Sequence, residues 1–150
     1  MVKRPSSPRL RAVPSLRRLA RFRYELRRFL RFSERAARAC GVTPLQHQLL
    51  LGLAGFCRGG SATVSEMAEF LQERHNAVVG LVQRAAARGL VRKERSADDR
   101  RVVLVSITRS GTRVLRKLTR LHLEELKQLR ARLSRGIELR PRVPGKSQEA

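Results

Sequence analysis

The sequence predicts a mainly α fold with one small β-hairpin (α+β), and three observations predict it. Apolar residues recur at three- and four-residue spacing through most of the chain, which is the period of one helix face. One stretch breaks that period: Arg88 to Thr108, RGLVRKERSADDRRVVLVSIT, reads as a helix end, a strand, a charged turn and a second strand. Two helix-start signals, Thr43-Pro44-Leu45-Gln46 and Thr63-Val64-Ser65-Glu66, divide the middle of the chain into short helices. With 150 residues, 41% of them hydrophobic, the chain is long enough for one domain with a real core.

The elements follow in order. Residues 1–14 combine Pro5, Pro8 and Pro14 with Lys3, Arg4, Arg9 and Arg11, the composition of a disordered basic arm. Ser15 can cap a long helix whose stripe is Leu19, Phe22, Leu26, Phe29, Leu30, Ala36, Ala37 and Cys40, and Gly41 ends it. Thr43 caps a helix expected to reach Cys57; it is apolar on most sides, as befits burial in the middle of a domain, and Arg58-Gly59-Gly60 breaks it. From Thr63 a short helix runs to about Leu71 with Val64, Met67, Ala68 and Leu71 facing inward. A second begins at His75 or Asn76 and ends near Arg88, with Val78, Leu81, Val82 and Ala85 as its core face. Gly89 stops it, and the hairpin follows. Thr108 or Ser110 opens a final long helix striped by Val114, Leu115, Leu118, Leu121, Leu126, Leu129 and Leu133. Residues 136–150, with Pro141, Pro144 and Gly145, read as a flexible tail. Two short helices, a tight turn and a hairpin make a winged helix-turn-helix over residues 43–108. The flanking helices, 15–41 and 109–135, carry spare apolar faces and are expected to form the dimerisation layer of a homodimer.

Charge narrows the partner. The chain holds 34 Lys and Arg against 12 Asp and Glu, a formal net charge of +22. A domain this basic repels itself unless a polyanion is near. Aromatic residues make up 4% and there is no tryptophan, so the stacking platforms of single-strand binders are missing and double-stranded DNA is favoured. No apolar run has the length of a membrane span or of a signal peptide, so no membrane partner and a cytoplasmic, nucleoid-associated location are expected. The two cysteines, Cys40 and Cys57, have no metal-site spacing, and the three histidines form no catalytic set; no enzyme activity, metal or cofactor is expected.

Taken together, these segments resemble the MarR family of transcriptional regulators over about Leu16 to Leu133. Thr43-Pro44-Leu45-Gln46 resembles the opening of the family's second helix. Val64 to Leu71 resembles the first helix of its DNA-binding pair, and Leu81-Val82-Gln83-Arg84 falls in its recognition helix. Asp99-Arg100-Arg101 falls in the wing, and Ile107-Thr108 with Gly111 leads into the last helix. The resemblance implies a homodimer that reads a pseudo-palindromic operator, acts as a repressor, and is released by a small lipophilic or phenolic effector. The chain departs from the family at Val79-Gly80, where a Thr-Arg or Ser-Arg pair is common, and at His47, where an aromatic residue is frequent.

The candidate DNA-binding residues follow from helical period and chemistry. Asn76, Gly80, Gln83 and Arg84 lie opposite the core face of their helix. Asn76 and Gln83 can pair bidentately with adenine, and Arg84 with guanine or phosphate. Gly80 either lets the backbone approach DNA or packs tightly on the preceding helix. Arg74 and His75 stand at the helix start, where phosphates are met. Ser65 at the head of the first helix, and Arg95 and Ser96 at the wing, complete the set. Arg100 and Arg101 are expected to reach the minor groove while Asp99 positions an arginine. His47 is the candidate wall of an effector pocket. The arm and the arginines of the first helix are expected to add nonspecific phosphate contacts. A nonspecific nucleoid-coating protein, or a redox- or metal-responsive regulator on the same fold, is the alternative.

Overall fold

The computed structural model describes residues 14–136, so the expected arm and tail lie outside the described residues except for Pro14 and Gly136. The chain divides into two compact units, one of residues up to Leu30 together with those from Glu125 onward, the other Arg31–Glu124. Two long helices, α1 (Pro14–Ala39) and α5 (Arg109–Gly136), run through both. Helix α1 opens on Pro14 rather than after Ser15; a proline at the first helical position has its φ preset and no N–H to leave unsatisfied.

The smaller unit contains the first part of α1 and the last part of α5. Its Glu25 is fully buried. A buried carboxylate must be paired, and Arg132 of α5 donates to it at 2.8 Å while Arg21 lies 2.9 Å away. Arg132 also donates to Glu125 at 2.6 Å.

The larger unit takes in the last part of α1, from Arg31 onward. Gly41 adopts φ +78, and the Val42 amide turns back to the Ala37 carbonyl at 3.1 Å, closing the helix as the sequence predicts. Helix α2 (Pro44–Leu51) has the full capping box: Thr43 Oγ1 accepts from the Gln46 amide and Gln46 Oε1 from the Thr43 amide. The expected continuation to Cys57 is not α-helical. Residues Gly52–Phe56 form one wider π-type turn, and the Cys57 amide reaches the Gly52 carbonyl at 3.0 Å. Nor is this stretch buried on all sides: Leu49, Leu50 and Leu53 are buried, but Leu51 is 43% and Phe56 65% exposed. Gly52 lies against the next helix so closely that a Cβ would come within 2.6 Å of Met67 and Phe70 side-chain atoms.

A short strand that the sequence did not announce comes next, β1 (Ser61–Thr63). Helix α3 (Val64–Leu71) carries the second capping box, with Thr63 and Glu66 bonded reciprocally. Gln72 bridges to the following helix in the left-handed conformation at φ +53. Helix α4 (His75–Ala87) buries Val78, Leu81, Val82 and Ala85, the predicted face. Strands β2 (Val91–Arg95) and β3 (Val103–Ile107) pair antiparallel in the register Val91↔Ile107 to Arg95↔Val103. Strand β1 pairs on the other side of β3, giving a three-stranded sheet of order β1-β3-β2 in place of a two-stranded hairpin.

Thr108, not Ser110, caps α5: its Oγ1 accepts from the Gly111 amide at 3.1 Å. The same hydroxyl donates toward the Gly89 and Leu90 carbonyls, at 2.6 and 3.0 Å. The core joins Leu49, Leu50, Leu53, Met67, Leu81, Val105, Leu115 and Leu118 from α2, the π-type turn, α3, α4, β3 and α5.

Candidate nucleic-acid interface

The interface is built from the outward side of α4 and from the hairpin. Because Val78, Leu81, Val82 and Ala85 point inward, the 3.6-residue period leaves His75, Asn76, Gln83 and Arg84 exposed. Gly80 is half-buried, yet a Cβ there would meet nothing of α3 within 4 Å, only the Arg84 guanidinium at 3.1 Å. Close packing on the preceding helix is thus not its role; it leaves room for Arg84 to fold back along its own helix. Arg74 takes the cap position of α4 with extended backbone, and its side chain makes no capping bond. The first amides of α4 therefore have no side-chain cap from Arg74, and such an end attracts anions.

A cavity of about 450 Å3 opens between α3, α4 and the wing. Ser65, His75, Gln83 and Arg101 line it, and so does Lys93. The structure brings these four predicted residues together. It does not place Arg74, Asn76, Gly80, Arg84, Arg95, Ser96 or Arg100 on that lining. Lys93 went unpredicted, although strand alternation would have found it: residues two apart on a strand share a face, so Lys93 follows Val91. Arg92, on the opposite face, is held by Glu94 at 2.8 Å.

At the wing tip Asp99 acts on the backbone. Its Oδ1 accepts from the Arg101 amide at 2.9 Å, and the Val102 amide donates to the Asp99 carbonyl at 2.9 Å. The expected contact of Asp99 with an arginine side chain is replaced by an Asx turn, in which a short acid mimics a backbone carbonyl. Arg95 donates from Nη1 to the Arg100 carbonyl at 3.0 Å, and the Ser96 hydroxyl accepts from the Asp98 amide at 3.3 Å. Both side chains thus tie the loop, while Arg100 and Arg101 extend exposed from it.

His47 is 4% exposed, and its ring centroid lies 4.6 Å from that of His122. It does not line the wing cavity. Burial, and then the nearness of His122, lowers its pKa to about 4, so it is neutral at ordinary pH. His122 is itself bonded, Nδ1 with the Leu118 carbonyl and Nε2 with the Ser33 hydroxyl, both at 2.8 Å. Cys57 donates to the Met67 sulfur at 3.8 Å, and burial, with the Glu66 charge second, raises its pKa. A thiol held protonated is a poor redox sensor. Among the described residues no three metal-ligating side chains gather, and no helix is long and apolar enough to cross a membrane.

A model of the MarR family matches residues 41–102, from the end of α1 to the far side of the wing tip. The HTH-type transcriptional repressor MdtR of Bacillus subtilis is 37% identical over 71 residues, 47% of this chain and 44% of that protein. The chain thus matches under half the length of this curated relative. Among solved structures, the MarR family regulator AbsC of Streptomyces coelicolor has TM-score 0.66 at 21% identity, over 79% of this chain and 80% of that one. Sco3205 from the same organism, a MarR family regulator solved in complex with DNA, has TM-score 0.64 at 21% identity over 81% and 78%. YusO of Bacillus subtilis has TM-score 0.58 at 27% identity over 89% and 88%.

Proposed function

We propose that this chain is a winged helix-turn-helix regulator of the MarR family, whose model matches residues 41–102, and that it binds duplex DNA through α4 and the wing and represses transcription. One observation carries the reading: hydrogen-bonding and basic groups of α3, α4 and the wing converge on a single face, with His75, Gln83, Lys93 and Arg101 around one opening. Gln83 and Asn76 have the groups to read adenine, Arg84 to read guanine or grip phosphate, and Arg100 and Arg101 to enter a narrow minor groove. Arg74 and the start of α4 suit a phosphate. The complex of Sco3205 with DNA lends the reading a precedent in a protein of the same fold.

In this reading the protein is a homodimer on a pseudo-palindromic operator, with residues 15–41 and 109–135 as its dimerisation layer. Supporting it, Leu16, Leu19, Phe22 and Leu30 of α1 and Leu121, Leu123 and Leu126 of α5 are exposed in the single chain. Large apolar side chains gathered on two helices favour a protein partner. Release by a small lipophilic or phenolic effector belongs to the proposal through the family alone; His47 is buried against the half-buried His122 and gives no open wall for one. The experiment is selection of bound duplexes from a random pool, followed by competition between selected and random duplex at physiological salt. A preference of ~10³ or more is expected of a regulator, and a ratio near one would instead mean a nonspecific coating protein.

A further inference from the structure

A second basic feature lies outside the wing unit. Where the first part of α1 meets the last part of α5, Arg17, Arg18, Arg21, Arg132 and Arg135 surround a pocket of about 410 Å3. Two of the five are fixed from below. The fully buried Glu25 holds Arg21 at 2.9 Å and Arg132 at 2.8 Å, and Glu125 holds Arg132 at 2.6 Å. Among the described residues Arg17, Arg18 and Arg135 have no acidic partner, so the pocket keeps a surplus of positive charge.

We propose that this pocket is a binding site for a compact oligophosphate, a small molecule carrying two or more linked phosphate groups, distinct from the duplex site at the wing. Guanidinium groups present planar forks of donors that match phosphate oxygens in pairs, and forks held in place by a buried carboxylate lose little freedom on binding. Five guanidiniums around one hollow form a charge density that a single phosphate of a duplex backbone does not neutralise, whereas linked phosphates do. The volume is that of a small-molecule site. On the 3.6-residue period Arg17 and Arg21 lie on the side of α1 away from Leu19, Phe22, Leu26 and Leu30, and Arg18 lies at the border beside Phe22. A second copy covering that apolar stripe therefore leaves this side of α1 open. The proposal stands independently of what the wing reads.

The test is calorimetric titration of the full chain at physiological salt with inorganic tripolyphosphate and, separately, with orthophosphate. One tripolyphosphate per chain is expected, bound at least about tenfold more tightly than orthophosphate because several charge-assisted bonds form at once. Combined Arg17→Gln, Arg18→Gln and Arg135→Gln should weaken tripolyphosphate by about tenfold or more, and Arg18→Gln alone should weaken it measurably at an unchanged melting temperature. Combined Arg100→Gln and Arg101→Gln at the wing should leave it unchanged. The proposal is overturned if the wing variant loses tripolyphosphate and the pocket variants keep it. It is equally overturned if the pocket variants only flatten the salt dependence of duplex binding, which would assign these arginines to a DNA backbone.

Discussion

Gln83 lines the wing cavity on the exposed side of α4, and its side-chain amide carries the acceptor oxygen and donor nitrogen that a base edge pairs with. Gln83→Ala should weaken a selected operator by about 1–3 kcal/mol, the worth of a bidentate pair, and leave random duplex almost untouched. Fluorescence anisotropy with both duplexes checks it. Gly80→Ala should separate stability from binding. Alanine gains about 1 kcal/mol of helix propensity, while its Cβ displaces an arginine end 3.1 Å away; a higher melting temperature with weaker operator binding is expected. His47 gives a pH dependence. Unfolded, it takes up its proton near pH 6.5; folded, only near pH 4. Between these values the unfolded chain binds more protons, so stability is full above pH 6.5 and falls as pH drops toward 4, by roughly 3 kcal/mol at most. His47→Gln should flatten that loss in urea titrations at stepped pH; an equally steep loss in the variant would assign it to other groups. At this scale the sequence marks exposed and buried positions well but not side-chain partners. Asp99 could bond a guanidinium or an amide at equal sequence cost, and only the folded turn decides for the Arg101 amide.

Among the elements, the helices were legible because each carries its own signal: capping boxes at Thr43 and Thr63, and a glycine stop at Gly41. Strand β1 was not. Its Ser61-Ala62-Thr63 is too short for an alternation to show, and it exists because β3 offers it an edge, a contact some forty positions distant in sequence. The π-type turn at Gly52–Phe56 was hidden for a similar reason, since its apolar letters suit an α-helix equally well and the neighbouring Met67 and Phe70 are what crowd Gly52. The junction of wing and α5 gives a strong test. A Cβ on Gly111 would collide with the Leu90 carbonyl oxygen, so Gly111→Ala must move backbone. It should cost about 1–3 kcal/mol or more by overpacking. Thr108→Val removes the cap and its bonds to Gly89 and Leu90 but keeps the volume, and about 1 kcal/mol is expected. Denaturant midpoints of the two variants, at equal m-values, rank them.

For the whole molecule, the domain type could be read from local patterns, whereas assembly could not. An exposed leucine on α1 looks the same in sequence whether water or a second chain covers it. Light scattering after gel filtration should return twice the chain mass at micromolar concentration, and combined Leu19→Glu and Leu126→Glu should shift it toward the monomer while leaving the helical circular dichroism in place. Deleting residues 1–13 should lower the slope of log K against log salt by about 0.9 for each phosphate contact removed. One feature of the sheet carries further. Strand β1 pairs with β3 only from Ser61↔Ser106 to Thr63↔Leu104, while β2 continues to Arg95↔Val103 and the tip beyond. The hairpin is therefore a cantilever in which β3 is paired on both sides from Leu104 to Ser106, while β2 has β3 alone beside it. Stiffness is greatest near α3 and declines toward Arg100 and Arg101. A compliant tip adapts to grooves of differing width, so on the proposed reading the bases beneath the wing are tolerated loosely, and the strictly required ones fall beneath α4.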